Sequence, residues 1–204
     1  MSIFDEVFEQ LQGYLTQVDT RFMQPFSQAY EEDMSLNLLE FEFEIKTYCI
    51  LTHAAFEEYF EQISKLIANS IYLSWMENKK VTKLTVIFIH NNNINFSARK
   101  ETIVDNYIKG LLAQAKNKFE TLVKSNHGLT EKHLLDLFGA VGIEIVSYTN
   151  ALNSIVQLSK ARNEFAHNST RTQTLFEPSE YRKWVTECIQ LCDAIRKQAN
   201  ELTN

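Results

Sequence analysis

The sequence predicts an all-α protein, a helical bundle of five or six helices with no substantial sheet. Apolar residues recur at spacings of three and four over most of the chain, as they do on the buried face of amphipathic helices. Only five Gly and two Pro occur among the 204 residues, so long helices and short connections are expected. This length suffices for one domain with a sizeable core, and we treat residues 1–204 as a single domain.

The N-terminal part of the chain predicts two helices. Residues 3–18 form the first, and residues 21–28, which include Pro25, form a connection. The second helix begins within residues 29–35 and runs to about Met76 without Gly or Pro. It is either one long helix or two nearly collinear ones, and we expect it to be the backbone of the bundle.

The stretch from residue 77 to residue 97 is the least helical part of the sequence. The run Val81–Ile89 is rich in β-branched residues and is compatible with a short strand. No second strong strand exists to pair with it, however, and His90–Asn93 is typical of a turn. The sequence therefore predicts an excursion with little regular structure.

Four further helices complete the predicted bundle. Gly128 marks the end of one helix, Thr130 is the N-cap of the next, and Pro178 favours the start of the last. The predicted ranges are about 97–124, 130–139, 143–168 and 179–202.

Charge is unevenly distributed along a chain whose net charge is −6. Residues 1–75 carry a net charge of −10, residues 76–135 carry +5, and residues 136–204 carry −1. The middle third is therefore the only candidate footprint for a polyanion. The alternative is that its lysines merely solvate the surface of a helix.

The three Cys lack the spacing of a disulfide framework, which predicts reduced thiols and a cytoplasmic protein. Cys188 and Cys192 are four residues apart, but no further ligands lie nearby in the sequence, so we interpret them as small buried side chains rather than a metal site. No cofactor motif and no metal-ligand set are recognised. No apolar run approaches the length of a membrane span, and the acidic N-terminus is unlike a signal peptide.

The strongest functional signal lies near the end of the predicted helix 143–168, where Arg162, Asn163 and His167 occur. Arg is permanently cationic and presents a planar set of donors suited to phosphate. His changes its charge near neutral pH and is the usual proton carrier. An Arg and a His in one cleft suffice to cleave RNA without a metal, because one stabilises the phosphorane and the other moves a proton.

The spacing of these residues leaves the geometry of the site open. Residues five apart on an α-helix are separated by about 140° of rotation, so Arg162 and His167 do not share a face. Asn163 and His167 are four apart and do share one. Either the helix frays near Ala166, or the long Arg side chain reaches around it, or a second chain completes the site.

Two segments carry a resemblance to a known family. Residues 162–167, Arg-Asn-Glu-Phe-Ala-His, resemble the R-x(4–6)-H motif of the HEPN superfamily, and residues 51–59, Leu-Thr-His-Ala-Ala-Phe-Glu-Glu-Tyr, are similar to an upstream helix of its RiboL-PSP type. The resemblance covers roughly residues 35–200. It implies a helical bundle, usually a homodimer with its two motifs facing each other. Many members are metal-independent ribonucleases of toxin–antitoxin and antiphage systems, whereas others have lost the motif and only bind.

The resemblance also implies roles for the motif residues. Cleavage would proceed by attack of the RNA 2′-hydroxyl and leave a 2′,3′-cyclic phosphate. We expect His167 to be the general acid or base, Arg162 to stabilise the phosphorane, and Asn163 to orient His167 or the phosphate. The expected partners are RNA, a second copy of the chain, and a protein antitoxin or regulator. The lysines expected to contact RNA are Lys109, Lys116 and Lys118.

Three further residues are candidates to support the site: Glu57, Glu164 and His53. His53 and Glu57 are four apart, so an ordinary helical His–Glu pair is the alternative explanation. A purely structural role for the motif also stays open, with Arg162 paired to Glu164 or another acid and His167 capping the helix.

Overall fold

The computed structural model describes residues 1–79, 81–94, 104–125, 128–167 and 175–203. These residues form eight α-helices and no strand, which confirms the all-α prediction. A π-helical turn, Asp19–Met23, follows the first helix, and a 3₁₀ turn, Leu38–Phe41, precedes the third. The helices are α1 (Ile3–Val18), α2 (Gln24–Glu32), α3 (Glu42–Asn78), α4 (Lys83–Asn91), α5 (Val104–Ser125), α6 (Glu131–Ala140), α7 (Thr149–His167) and α8 (Pro178–Thr203).

Helix α3 is the centre of the bundle. Its 37 residues span about 55 Å at 1.5 Å per residue, and it contacts α1, α4, α5, α7 and α8. Buried side chains occur on nearly every turn from Ile45 to Trp75. One long helix was one of the two predicted arrangements, but the predicted start within residues 29–35 was wrong. There the chain becomes extended at Asp33, whose side-chain carboxylate accepts hydrogen bonds from Ser35 and so stabilises a turn.

The predicted connection over residues 21–28 is also helical. The π-helical turn continues α1 without a break, and Pro25 lies in the first turn of α2, where its missing N–H costs no hydrogen bond. Arg182 of α8 holds this region through a bidentate pair with Asp19, with distances of 2.9 Å from Nε to Oδ1 and 2.8 Å from Nη2 to Oδ2. The first helix, residues 3–18, is confirmed, and a capping box of Ser2 and Asp5 begins it.

The prediction of little regular structure over residues 77–97 was wrong for the described residues of that stretch, because α4 lies within it. Thr82 caps this helix, and Leu84, Phe88 and Ile89 are buried. The Phe88 ring packs edge to face on Phe119 of α5, with the ring centroids 6.0 Å apart. Burial of these apolar side chains at helical spacing outweighs the β-branched composition, which is a weak local preference.

The turn after α6 depends on Gly142. Its φ of +79° favours glycine, and an added Cβ would lie 3.0 Å from Cγ2 of Ile87 in α4. The chain then runs without helix through residues 143–148, so the predicted start of the motif helix at Ile143 was wrong. Gln198 of α8 explains this, because its side chain donates to the Glu144 carbonyl at 2.9 Å and accepts from the Glu144 N–H at 3.1 Å. Backbone groups paired to a side chain in this way are not available to a helix.

Cys49, Cys188 and Cys192 are free and buried. Burial raises the pKa of each thiol, and among the described residues no group of three His, Cys, Asp or Glu is placed to hold a metal ion. Cys188 and Cys192 therefore behave as the small buried side chains that the sequence predicts.

Within the described ranges, no helix is long and apolar enough to cross a membrane.

Truncating the core side of α3 should destabilise the bundle. Phe60 is fully buried and packs edge to face on Phe138 of α6, with centroids 5.7 Å apart. We expect Phe60→Ala to lower the free energy of unfolding by about 3–5 kcal/mol, because it leaves a cavity. Phe43→Ala on the same helix is the matched control, since that ring is 72% exposed and its removal should change stability by less than about 0.5 kcal/mol. Urea titrations followed by circular dichroism measure both, and similar losses would contradict this account of the core.

Candidate functional site

Helix α7 carries the motif and is anchored by one buried face. That face packs against α3 and α8. Its buried residues are Ala151, Leu152, Ile155, Leu158 and Ala161. The helix continues through residue 167. The helix is thus unbroken at Ala166, and residues 162 and 167 lie about 140° apart around its axis.

His167 belongs to α7 by its backbone, but its side chain lies outside the described part of the structure. Its role as general acid or base therefore stays a prediction. The helix does place position 167 one turn beyond Asn163, on the same face. Asn163 and Glu164 themselves are exposed.

Arg162 is half buried at the edge of α7. Its Nη1 donates a hydrogen bond to Oδ1 of Asn163 at 3.0 Å. Among the described residues no carboxylate comes within ion-pair distance of its guanidinium, Glu164 included. A guanidinium without a carboxylate partner retains its charge and donors for an external anion such as phosphate.

His53 of α3 lies close to Arg162. The imidazole is buried, and its Nδ1 is 3.8 Å from Oε2 of Glu57. Burial lowers the pKa of His53; the Glu57 carboxylate acts in the opposite direction, and the positive charge of Arg162 lowers it further. His53 is therefore within the electrostatic influence of both Glu57 and Arg162. Support of the motif by His53 or Glu57 stays a prediction.

Glu57 has a second contact, with the turn that precedes α6. Its Oε1 accepts a hydrogen bond from the N–H of Gly128 at 2.6 Å. Gly128 has a φ of +85°, and its carbonyl lies 3.1 Å from Nδ1 of His133. Ser159 of α7 donates to the Leu129 carbonyl at 2.6 Å. Glu57 therefore holds this turn against α3 and Ser159 holds it against α7, which gives Glu57 a structural role beside any catalytic one.

The lysines expected to contact RNA lie away from the motif within one chain. Lys116 donates to Oδ1 of Asn69 at 2.9 Å, and Lys118 donates to the Asn93 carbonyl at 2.9 Å. Lys109 is exposed on the preceding turns of α5. Asn69 is 16 residues beyond His53 on α3, a distance of about 24 Å along the helix axis. RNA contact by these lysines stays a prediction.

Sequence reasoning missed a cation that does lie beside the motif. Nζ of Lys46 is 5.8 Å from the ring centroid of Phe165 and 2.6 Å from Oε1 of Glu42. Lys46 lies in the strongly acidic first third of the chain, where the charge distribution along the sequence does not predict a site for RNA. Only the packing of α3 against α7 brings it to the motif.

Comparison with known proteins gives one result. A family profile described as RiboL-PSP-HEPN matches residues 26–201. The matched span contains α3 with the His53–Glu57 pair and α7 with the Arg162 motif, and it leaves out α1, in line with the extent expected from the sequence. No curated protein and no solved structure matches the chain.

Burial of a neutral His53 should make stability depend on pH. The unfolded imidazole titrates near 6.5, whereas the pKa of His53 in the folded chain is lower. As the pH falls below about 6.5 the unfolded state binds a proton that the folded state does not, so the free energy of unfolding falls. We expect wild type to lose more stability than His53→Gln between about pH 7 and pH 5. Urea unfolding at both pH values measures this, and equal losses would show that His53 is not held neutral.

Proposed function

Because the chain belongs to the RiboL-PSP-HEPN family, we propose that it is a metal-independent endoribonuclease. The observation that carries the proposal is Arg162, a cation with no carboxylate partner among the described residues, on the helix that also carries position 167.

The proposed reaction is an in-line displacement at phosphorus. The 2′-oxygen of the ribose forms a bond to phosphorus, and the bond from phosphorus to the 5′-oxygen of the next nucleotide breaks. A base takes the 2′-hydroxyl proton, and an acid protonates the departing 5′-oxygen. The products are a 2′,3′-cyclic phosphate and a free 5′-hydroxyl. His167 would move the proton, and Arg162 would stabilise the additional charge of the phosphorane.

The proposal includes a homodimer. One chain offers a single Arg and a single His, about 140° apart on an intact helix, whereas the reaction needs a group at the attacking oxygen and another at the departing one. A two-fold axis near residues 162–167 would place the same patch opposite itself and double each group. The spacing of Arg162 and His167 left three arrangements open. An unbroken α7 supports two of them: either the Arg162 side chain reaches around the helix, or a second chain completes the site.

The family also supports a biological role as a toxin or abortive-infection effector, held in check by a protein antitoxin or another regulator. The acidic first third of the chain is the surface that would attract a basic partner. A non-catalytic HEPN module that binds a nucleotide or a partner protein is the alternative, and the retained Arg-x4-His spacing favours catalysis over it.

Cleavage of single-stranded RNA in excess EDTA tests the enzyme. We expect wild type to cleave, His167→Ala to be slower by about 10²–10⁴-fold, and Arg162→Ala to be slower by about 10²–10³-fold. His90→Ala and Lys83→Ala are matched controls, because both side chains are exposed on α4, and they should retain activity. Mass analysis of the products should find the 2′,3′-cyclic phosphate.

Two outcomes of that experiment would end the proposal. Equal cleavage by all variants would identify a contaminating nuclease, and an inactive wild type that still binds RNA through Arg162 would favour the binding module. The same variants test the toxin role when their expression is induced in a bacterial host, since wild type but not His167→Ala should arrest growth.

Mixed dimers test the shared cleft. Arg162→Ala and His167→Ala chains, inactive alone, should recover activity on co-expression if each site takes its Arg from one chain and its His from the other. Random pairing makes half of the dimers mixed, and the shared cleft of a mixed dimer holds one intact Arg162 and one intact His167. Sedimentation at micromolar concentration gives the oligomeric state. A monomer with full activity would refute the shared cleft and leave the mechanism in which Arg162 reaches around α7.

A further inference from the structure

Two cavities lie end to end between α7 and α8, next to the motif. One has a volume of about 230 Å³ and adjoins Ala161 and Glu164 of the motif helix. The other has a volume of about 320 Å³ and adjoins Asn150 and Asn153 near the start of α7. The two share Gln157 and Trp184, so they form one continuous groove. It extends for 14 residues of α7, which is about 21 Å. We call this surface the α7–α8 groove. It lies between residues 150–164 of α7 and residues 176–187 on the other side.

An aromatic ring at the motif end of the groove is both exposed and held in place. Phe176 is 40% exposed. Its ring packs edge to face on Trp184 at 5.3 Å and on Tyr181 at 6.0 Å between centroids. The hydroxyl of Tyr181 also accepts a hydrogen bond from the Phe176 N–H at 3.1 Å. An exposed ring fixed in this way loses little freedom when a flat partner stacks on it, and nucleobases stack on such rings in RNA-binding proteins.

The wall opposite the aromatic residues is lined by amides. Asn150, Asn153 and Gln157 are spaced three and four apart on α7 and so share one face. Carboxamides combine donors and an acceptor in one plane, which matches the edges of nucleobases. Ser154 donates a hydrogen bond to Glu187 and joins the two helices beneath this wall.

Among the described residues, the charges that line the groove are balanced rather than basic. Lys160 and Lys183 line it together with Glu164 and Glu187. A track for the phosphate backbone would be strongly cationic, whereas a groove of balanced charge with aromatic and amide side chains suits uncharged bases. The balanced charge also speaks against a nucleotide bound through its phosphates.

The groove meets the motif at its end. Positions 160, 164 and 167 are spaced four and three apart, so they lie on one face of α7. Arg162 lies on another face, toward His53 of α3. A strand that places its phosphate at the end of α7 would therefore have its neighbouring bases next to the groove.

We propose that the α7–α8 groove binds the nucleobases of single-stranded RNA beside the cleaved phosphate, with Phe176 as the stacking residue and Gln157 as a reader of the base edge. The proposal rests on RNA being the substrate of the motif. It assigns sequence preference to this groove and not to the lysines of α5.

Tryptophan fluorescence gives a binding readout that does not depend on cleavage. The chain has two Trp: Trp75 is buried in α3, and Trp184 lines the groove. A short single-stranded RNA of mixed sequence is titrated into the full-length His167→Ala chain, which keeps the RNA intact. We expect quenching that disappears in the Trp184→Phe variant of this chain, and binding that is weaker for the same oligonucleotide with abasic positions.

Two substitutions and two matched controls test the residues in the same background. Phe176→Ala should weaken RNA binding by about fivefold or more, since fivefold is the lower end of the affinity loss when one base-stacking ring is removed. Gln157→Ala should change the relative affinity for different bases. Tyr14→Ala is the control for the first, since Tyr14 is aromatic and 41% exposed on α1. Gln12→Ala, exposed on the same helix, is the control for the second. Circular dichroism and the urea midpoint verify that each variant is folded.

The outcomes separate this proposal from the proposed nuclease. Groove-dependent RNA binding by a wild type that does not cleave would refute the nuclease and support the groove. Cleavage by wild type with RNA affinity and base preference unchanged in Phe176→Ala and Gln157→Ala would overturn the groove and leave the nuclease. If Phe176→Ala instead converts a dimer to a monomer without changing RNA affinity, the groove is a contact between copies and the proposal is overturned. Absence of RNA binding overturns it as well.

Discussion

The burial of α3 along its length constrains the position of every other long helix. Its buried residues, from Ile45 to Trp75, recur at spacings of three and four, so they form one broad stripe that must be covered along the whole length of the helix. Helices α1, α5, α7 and α8 supply that cover. The edge-to-face contact of Tyr59 with Phe8 of α1 and its hydrogen bond to the Cys192 carbonyl of α8 at 3.0 Å bring the two ends of the chain to the same turn of α3.

The same burial sets the electrostatics of the candidate site. His53 lies in this covered part of α3, where desolvation lowers the pKa of its imidazole, so Arg162 is the charged partner at this contact between α3 and α7. The C-terminal end of an α-helix is the negative pole of its dipole. A phosphate bound there needs nearby cations, and Arg162 and Lys46 are the described side chains that can supply them. Bases would then meet the other side of α7, along the groove with α8.

Local sequence determined the elements whose signals lie within a few residues of each other. The bounds of α1, the N-cap of α6 at Thr130 and the start of α8 at Pro178 follow from periodicity and end signals. Helix α4 does not, since its β-branched run favours a strand, whereas its buried side chains pack against α3, α5 and α6. Asn91 illustrates the reason, because its side chain donates to the Gly139 carbonyl, 48 residues away in the sequence, at 2.7 Å. A run that locally resembles a turn is therefore anchored by a partner that no local pattern specifies.

The sequence by itself determined the family and the all-α class and singled out the Arg162 motif as the candidate site, because residue identity and short spacing carry that information. Tertiary structure alone decided that the charge of Arg162 acts on His53 and that Glu57 holds the Gly128 turn. It also decided that Lys116 of α5 meets α3 at Asn69, about 24 Å along the helix axis from His53. These relations depend on how helices distant in sequence cross and rotate against each other. That arrangement is set by the packing of whole side-chain faces on α3, which no single segment of the chain encodes.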